Sequence, residues 1–346
     1  EARRTTASST ALVSAGLVGI LATAGFATAV PTIPGGEQPG VTVAVVQGGV
    51  PGEGLSAMGE RQAVLRNHAQ LTRDVRWMAA RANLDVDFVV WPENATDIDP
   101  FRDAQARSQI DEAVRAAGVP VLVGAVVDAP GDPSRVANSG IVWDPQTGPG
   151  DRYVKRHPVP FGEYVPMRSV LGPLVDRFRL VPRDFIAGTD VGVLSIAGVL
   201  VGDVICFEVA YDALVRDTID GGAQMIVVQT NNATYGGTAQ LDQQIAMSRV
   251  RAVEHGRPVV VAATSGISAV VDADGSIRSA AGDGGSAVLI ESITPSSERT
   301  IATEWGVRVE FAIVAMAALA AVTAFADRRR GRHDGPKGAP DSPLLR

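Results

Sequence analysis

Between residues 41 and 295 short apolar runs alternate with longer stretches whose apolar positions recur every three or four residues. The short runs are rich in Val and Ile. They include VTVAVVQG (41–48), VDFVVWPE (86–93), VPVLVGAVV (119–127), SGIVWDP (139–145), MIVVQTN (225–231), PVVVAATS (258–265), SAVVDADG (268–275) and SAVLIES (286–292). Runs of this length and composition predict strands buried on both faces. The run 191–208 is longer and carries Gly198 near its middle, which predicts a hairpin turning there. The helical pattern falls between these runs, over 59–82, 102–117, 210–221 and 239–256. Alternation of strand and helix on this scale predicts a layered α/β domain.

Two stretches break the alternation. Residues 8–30, SSTALVSAGLVGILATAGFATAV, are uncharged throughout and follow Arg3 and Arg4. A spanning helix needs about 20 mostly apolar residues, and the small side chains here suit helix–helix contact in lipid. A secretory signal peptide with an Ala-Thr-Ala cleavage site is the competing reading. Residues 311–326, FAIVAMAALAAVTAFA, are also uncharged, with Trp305 and Val307 placed to extend them into the interface. Four arginines between Arg328 and Arg332 follow, then a Pro/Gly-rich tail. That succession reads as a stop-transfer anchor, against a buried core helix as the plain alternative. Basic residues at both outer ends place both ends in the cytoplasm. The expected organisation is a basic end, span and linker over 1–34, an extracytoplasmic domain over 35–300, a second span over 301–327 and a cytoplasmic tail over 328–346.

Composition narrows the classes. The 346 residues are 46% hydrophobic, enough for an ample core, and the net charge of −7 speaks against a nucleic-acid partner. The single cysteine, Cys206, excludes an internal disulfide framework. The first residue is Glu1 rather than Met, so a fragment or a processed product is expected. His157 is a poor metal candidate, because four histidines occur in all and none is spaced with carboxylates as a ligand set. No metal and no cofactor is expected. There is no GxGxxG after the first strand, no phosphate-binding loop and no GxSxG elbow.

Three polar residues stand where strands should end: Glu93 closing VVWPE, Lys155 in DRYVKRHPVPFGEYVP, and Cys206 closing GDVICFE. Strand ends line the crevices of α/β folds, so residues far apart in the chain meet there. A thiol attacks only as a thiolate and needs a base or a cation beside it. Glu93 is suited to take the proton, Lys155 to stabilise a developing oxyanion, and the Phe207 amide to add a second donor. Each also has a plain reading: Cys206 as an inert core residue, Glu93 as a turn carboxylate, Lys155 as a surface charge.

Taken together and in this order, these motifs resemble the nitrilase, or carbon–nitrogen hydrolase, superfamily over about 41–295. YVKRHPVPFGEYVP, ICFEVAY, VQGGVP and SRVRAVEHGRPVVVAATSGISAVVDADG look like its membrane-embedded apolipoprotein N-acyltransferase branch. The resemblance implies an αββα sandwich flanked by transmembrane helices. It implies a Glu93, Lys155 and Cys206 triad, with Glu163 holding Lys155 and the triad in place and with Phe207 and Glu208 flanking the nucleophile. The implied reaction moves an acyl chain from a phospholipid donor, through a thioester on Cys206, to the N-terminal amine of a diacylglyceryl apolipoprotein acceptor, at the outer side of a bacterial cell membrane. An anchored or secreted amidase acting on small C–N bonds is the alternative, and an inactive nitrilase-like binding module is a third class. Because an acid raises a nearby thiol's pKa, Glu208 is expected to turn away from sulfur or to pair with a cation.

The chain departs from the family pattern in places. VQGGVPGEGLSAMGE carries no aromatic residue, NNATYGG replaces an Asn-Asp-Ala-Trp-Phe run, and position 207 is Phe rather than Tyr. These changes bear on lid contacts and acyl preference. One upstream span stands where the family has several, which again points to a piece of a longer protein.

Overall fold

A computed structural model describes residues 39–50, 61–171, 182–282 and 285–333. The chain divides into two units, Glu1–Thr300 and Ile301–Arg346. In the first, two six-stranded sheets run in the orders β12-β1-β2-β3-β4-β5 and β11-β10-β9-β8-β7-β6. The first sheet comprises β1 (Val41–Gln47), β2 (Phe88–Val90), β3 (Val121–Ala129), β4 (Asp132–Asp144), β5 (Gly148–Val154) and β12 (Ala287–Ile293). The second comprises β6 (Val193–Ile196), β7 (Val199–Ile205), β8 (Met225–Thr230), β9 (Val259–Ala263), β10 (Ala269–Val271) and β11 (Ile277–Ala280).

The strand period sorts side chains into three apolar layers. In β1, Val43 and Val45 face the other sheet and pack with Phe88, Leu122, Val201 and Val227. Ala44 and Val46 point the other way, toward Leu65 and Val75 of α1 (Arg61–Arg81) and Ile110 and Val114 of α2 (Ala104–Ala117). On the far side of the second sheet, Val204, Ile226 and Val261 pack against Leu214 and Ile219 of α3 (Asp212–Asp220) and Ile245 of α4 (Gln240–His255). The result is the αββα sandwich. Full burial of a Val or Ile side chain contributes about 1.5–3 kcal/mol, so continuous aliphatic runs, covered on both faces, hold the layers together.

The hairpin expected around Gly198 forms between β6 and β7, with Ala197 and Gly198 at φ 50° and 80°. The four helices of the sandwich lie within two residues of their expected bounds. Two edge strands escaped the pattern: β5, GPGDRYV, and β11, IRSA, are largely exposed and lack an apolar run. β4 begins at Asp132, seven residues before the expected start, because its first half is a polar hairpin arm.

β2 is shorter than its apolar run. After Trp91 the chain leaves the sheet and passes over Gly124 of β3, where a Cβ would lie 2.0 Å from the Pro92 carbonyl oxygen and 2.9 Å from Glu93 Cα. Gly140 of β4 stands directly opposite Gly124 in the ladder. These two missing side chains open the inner face of the sheet just below the strand ends.

The second unit contains α5, Ile301–His333. Its Ile301–Ala326 segment is, among the described residues, the one helix long and apolar enough to cross a membrane, and none of its most apolar window is buried. The expected upstream span over 8–30 lies outside the described residues, as does the tail from 334 onward.

Candidate active site

β2, β5, β7 and β8 all finish at one edge of the sandwich. β5 is antiparallel to β4, β4 to β3, and β3 is parallel to β2, so β2 and β5 end together. In the second sheet β7 and β8 are parallel. Glu93 follows β2, Lys155 follows β5 and Cys206 follows β7, so sites 51 or more residues apart in sequence converge there.

Lys155 is 1% exposed, and its Nζ lies 2.9 Å from Glu93 Oε1 and 3.0 Å from Glu163 Oε2. Asn138 Nδ2 donates to both carboxylates, at 2.7 Å to Glu93 Oε1 and 2.8 Å to Glu163 Oε1. The Asn231 amide donates to Glu93 Oε2 at 2.8 Å, and the Val159 amide to Glu163 Oε2 at 2.7 Å. Burial works against the Lys155 ammonium, but Glu93, the Cys206 sulfur and Glu163 outweigh it and raise its pKa above the usual lysine value.

Cys206 is partly exposed and sits at φ 58°, in the left-handed region that a non-glycine residue rarely adopts. It opens a 3₁₀ turn, Cys206–Ala210, at the end of β7, and its side chain packs against the edge of the apolar layer between the sheets. Its thiol receives the Thr230 hydroxyl at 3.4 Å and lies within reach of the Glu93 charge. Gln244 Nε2 donates in turn to Thr230 Oγ1 at 2.8 Å. Burial and the charge of Glu93 push the thiol pKa up to about 12, while Lys155 and Thr230 pull against them. The resting group is therefore a neutral thiol beside a carboxyl group.

Glu208 is fully buried and serves a different set of donors. It accepts from the Ile205 amide at 2.9 Å, the Arg156 amide at 2.7 Å, the His157 amide at 2.9 Å and the Tyr153 hydroxyl at 3.0 Å. It thereby ties the last residue of β7 to the segment that carries Lys155. Burial raises its pKa, and these donors oppose that shift. Phe207 is exposed; its ring meets Tyr211 edge-on at 6.0 Å, and Tyr211 stacks on His157 at 4.4 Å.

All six residues singled out in the sequence thus gather at one edge, with Glu93, Lys155 and Glu163 in direct contact and Glu208 held by backbone amides and the Tyr153 hydroxyl. Sequence reasoning missed Asn138, Tyr153, Thr230 and the Asn231 amide. Tyr153 carried a usable signal, since it stands two residues before Lys155 and a strand repeats every two. Asn138 carried a weaker one, as a polar residue just before the apolar run of β4.

A family model described as carbon–nitrogen hydrolase matches residues 42–303. The chain is 43% identical over 289 residues to an apolipoprotein N-acyltransferase of Mycolicibacterium smegmatis, covering 81% of this chain and 47% of that protein. It is 31% identical over 270 residues to an apolipoprotein N-acyltransferase of Photobacterium profundum, covering 76% and 50%. The chain therefore spans about half the length of these curated relatives. Among solved structures, an amidase from Nesterenkonia sp. aligns with TM-score 0.54 and 19% identity over 78% of this chain and 94% of that one, a likeness of fold.

Proposed function

The chain belongs to the carbon–nitrogen hydrolase family, and from that premise we propose that it is the catalytic portion of an acyltransferase moving a phospholipid acyl chain to the N-terminal amine of a diacylglyceryl apolipoprotein. The observation that carries the reading is the convergence of Glu93, Lys155 and Cys206 at one strand-end edge. The likeness to two apolipoprotein N-acyltransferases supports the choice of substrates. So does the apolar helix over Ile301–Ala326, since both substrates reside in a bilayer.

In this mechanism Cys206 Sγ bonds to the ester carbonyl carbon of the phospholipid as the thiol proton passes to Glu93. An ammonium has three N–H donors; Glu93 and Glu163 take two of those on Lys155, and the third serves the oxyanion together with the Phe207 amide. The carbon–oxygen bond then breaks, Glu93 returns the proton to the departing oxygen, and a lysophospholipid leaves behind a thioester on Cys206. The acceptor amine attacks that thioester, Glu93 takes its proton, and the carbon–sulfur bond breaks as the sulfur regains a proton. Glu163 holds Lys155 in place, and Glu208 braces the strand end that carries the sulfur. The domain over 35–300 lies on the outer face of the membrane, anchored by the helix over 301–327, with the basic tail over 328–346 in the cytoplasm.

The test uses the full chain in vesicles containing a phospholipid with a labelled acyl group. The expected result is label on the Cys206 peptide, released by hydroxylamine and chased onto a diacylglyceryl peptide amine. Absence of label together with turnover of a small amide would replace this reading with that of an anchored amidase. Equal labelling of the Cys206→Ser variant would remove the nucleophile from the scheme.

A further inference from the structure

Below the triad, in the layer between the sheets, lies a carboxyl group that the mechanism above does not use. Asp203 of β7 is 0% exposed, and neither of its carboxyl oxygens has a hydrogen-bond donor among the described residues. Its neighbour Gln229 of β8 is equally buried, and Gln229 Oε1 also lacks a donor. Both groups fill the space left by the missing side chain of Gly140: a Cβ there would lie 1.8 Å from Asp203 Oδ2 and 2.7 Å from Gln229 Oε1. Two acceptor oxygens from different residues thus share one small volume.

The orientation of the Gln229 amide is decided by its other end. Gln229 Nε2 donates to the Trp91 backbone carbonyl at 2.5 Å. A backbone carbonyl only accepts, so the nitrogen must face Trp91 and the oxygen must face Asp203. Turning the amide over would relieve one acceptor pair by creating another. A proton on Asp203 resolves both ends at once, because a protonated carboxyl group donates. We infer that Asp203 is a neutral carboxylic acid donating to Gln229 Oε1, and that the Asp203–Gln229–Trp91 chain is a strut positioning Glu93, two residues beyond Trp91, against the strand that carries Cys206.

The surroundings agree with this. Titratable groups facing Asp203 are Glu93 from the end of β2, Glu208 from the turn after β7 and Tyr153 from β5, and among the described residues no cation is one of the groups acting on it. Burial and the charges of Glu208 and Glu93 push its pKa well above the usual carboxylate range. A charge on Asp203 would add a further buried carboxylate to Glu93 and Glu208, with Glu163 partly buried beside them, around the ammonium of Lys155. As a neutral acid it connects the two sheets without opposing thiol ionisation. Asp203 is a positioning residue, acting through Gln229 and the Trp91–Glu93 backbone.

The inference rests on the proposed triad for its consequence but not for its protonation state, so two readouts separate them. Infrared difference spectra of the full chain in detergent, wild type against Asp203→Asn at neutral pH, should contain a protonated carboxyl C=O band lost in the variant; absence of that band would overturn the assignment. Asn at 203 still offers a donor to Gln229, so Asp203→Asn should leave the rate and pH profile of Cys206 alkylation by iodoacetamide within about twofold of wild type. Asp203→Leu offers none and should slow acyl transfer on the order of tenfold or more through misplacement of the base. A downward shift of the alkylation profile in Asp203→Asn would also overturn the inference, since it would mean that a negative charge had been removed. Loss of acyl transfer in wild type with the infrared band intact would count against the proposed function alone.

Discussion

Two buried glutamates flank Cys206, and their partners make them opposites. Glu93 accepts mainly from side chains that belong to the site, Lys155 and Asn138, and its charge bears on the thiol. Glu208, two residues beyond the cysteine, accepts three backbone amides and a tyrosine hydroxyl. A carboxylate saturated by backbone donors is part of the architecture, because moving its charge would leave several amides unsatisfied at once. A carboxylate shared between an ammonium and a thiol can gain and lose a proton while its other partners adjust. Proximity to the sulfur does not separate the two roles; the kind of donor does.

The sharpest way to break this comparison is Glu93→Gln. Acyl transfer should fall by on the order of a hundredfold to ten-thousandfold with loss of the general base, measured as the initial rate of labelled acyl transfer. The thiol should respond in the opposite direction. Glu93 raises its pKa from burial's already high starting point, so neutralising residue 93 should let Cys206 alkylation set in at lower pH than the value of about 12 that governs wild type. A variant dead in transfer yet more readily alkylated at alkaline pH would establish that Glu93 moves a proton rather than holding a preformed thiolate. Unchanged alkylation would remove Glu93 from the sulfur's surroundings.

Glu208→Gln should act mainly on stability. The glutamine nitrogen would face the Ile205 amide that now donates to Glu208 Oε2, setting donor against donor in a fully buried place. A cost of about 1–3 kcal/mol follows, read from chemical denaturation in detergent. If Glu208→Gln instead left stability intact while abolishing transfer, Glu208 would move from brace to catalytic group.

The smallest effect is expected at Asn138, which donates to both Glu93 and Glu163. Asn138→Ala should slow transfer by about tenfold, because the two carboxylates lose their shared spacer while both keep Lys155. An effect as large as that of Glu93→Gln would show that the two carboxylates work as one unit.

Much of this fold was readable along the chain. β1, β8 and β9 are continuous aliphatic runs because both faces of each strand are covered, and a run covered on both faces needs no alternation. Edge strands β5 and β11 lack that signature because one side of each meets water, so β5 itself did not show although Lys155, just after it, was expected at a strand end. Glu93 and Cys206 were visible because each is a chemically costly residue at the end of an apolar run, and Lys155 through the motif around it. Asn138, Thr230 and Asp203 were not, since a polar residue inside a strand does not announce which group from another strand will face it.

The sequence by itself determined the layers, since period and hydrophobicity decide which segments become strands or helices and which faces must be covered. It also determined where the β6–β7 hairpin reverses, through Gly198. Only the tertiary structure decided what each buried polar group does. Glu93, Glu208 and Asp203 are three carboxyl groups of similar chemistry, and the roles proposed for them (proton acceptor, backbone brace and neutral donor) differ because the folded chain brings different atoms against each. The physical reason is that a buried charge is governed by contacts within a few ångströms, and those contacts come from strands remote in sequence.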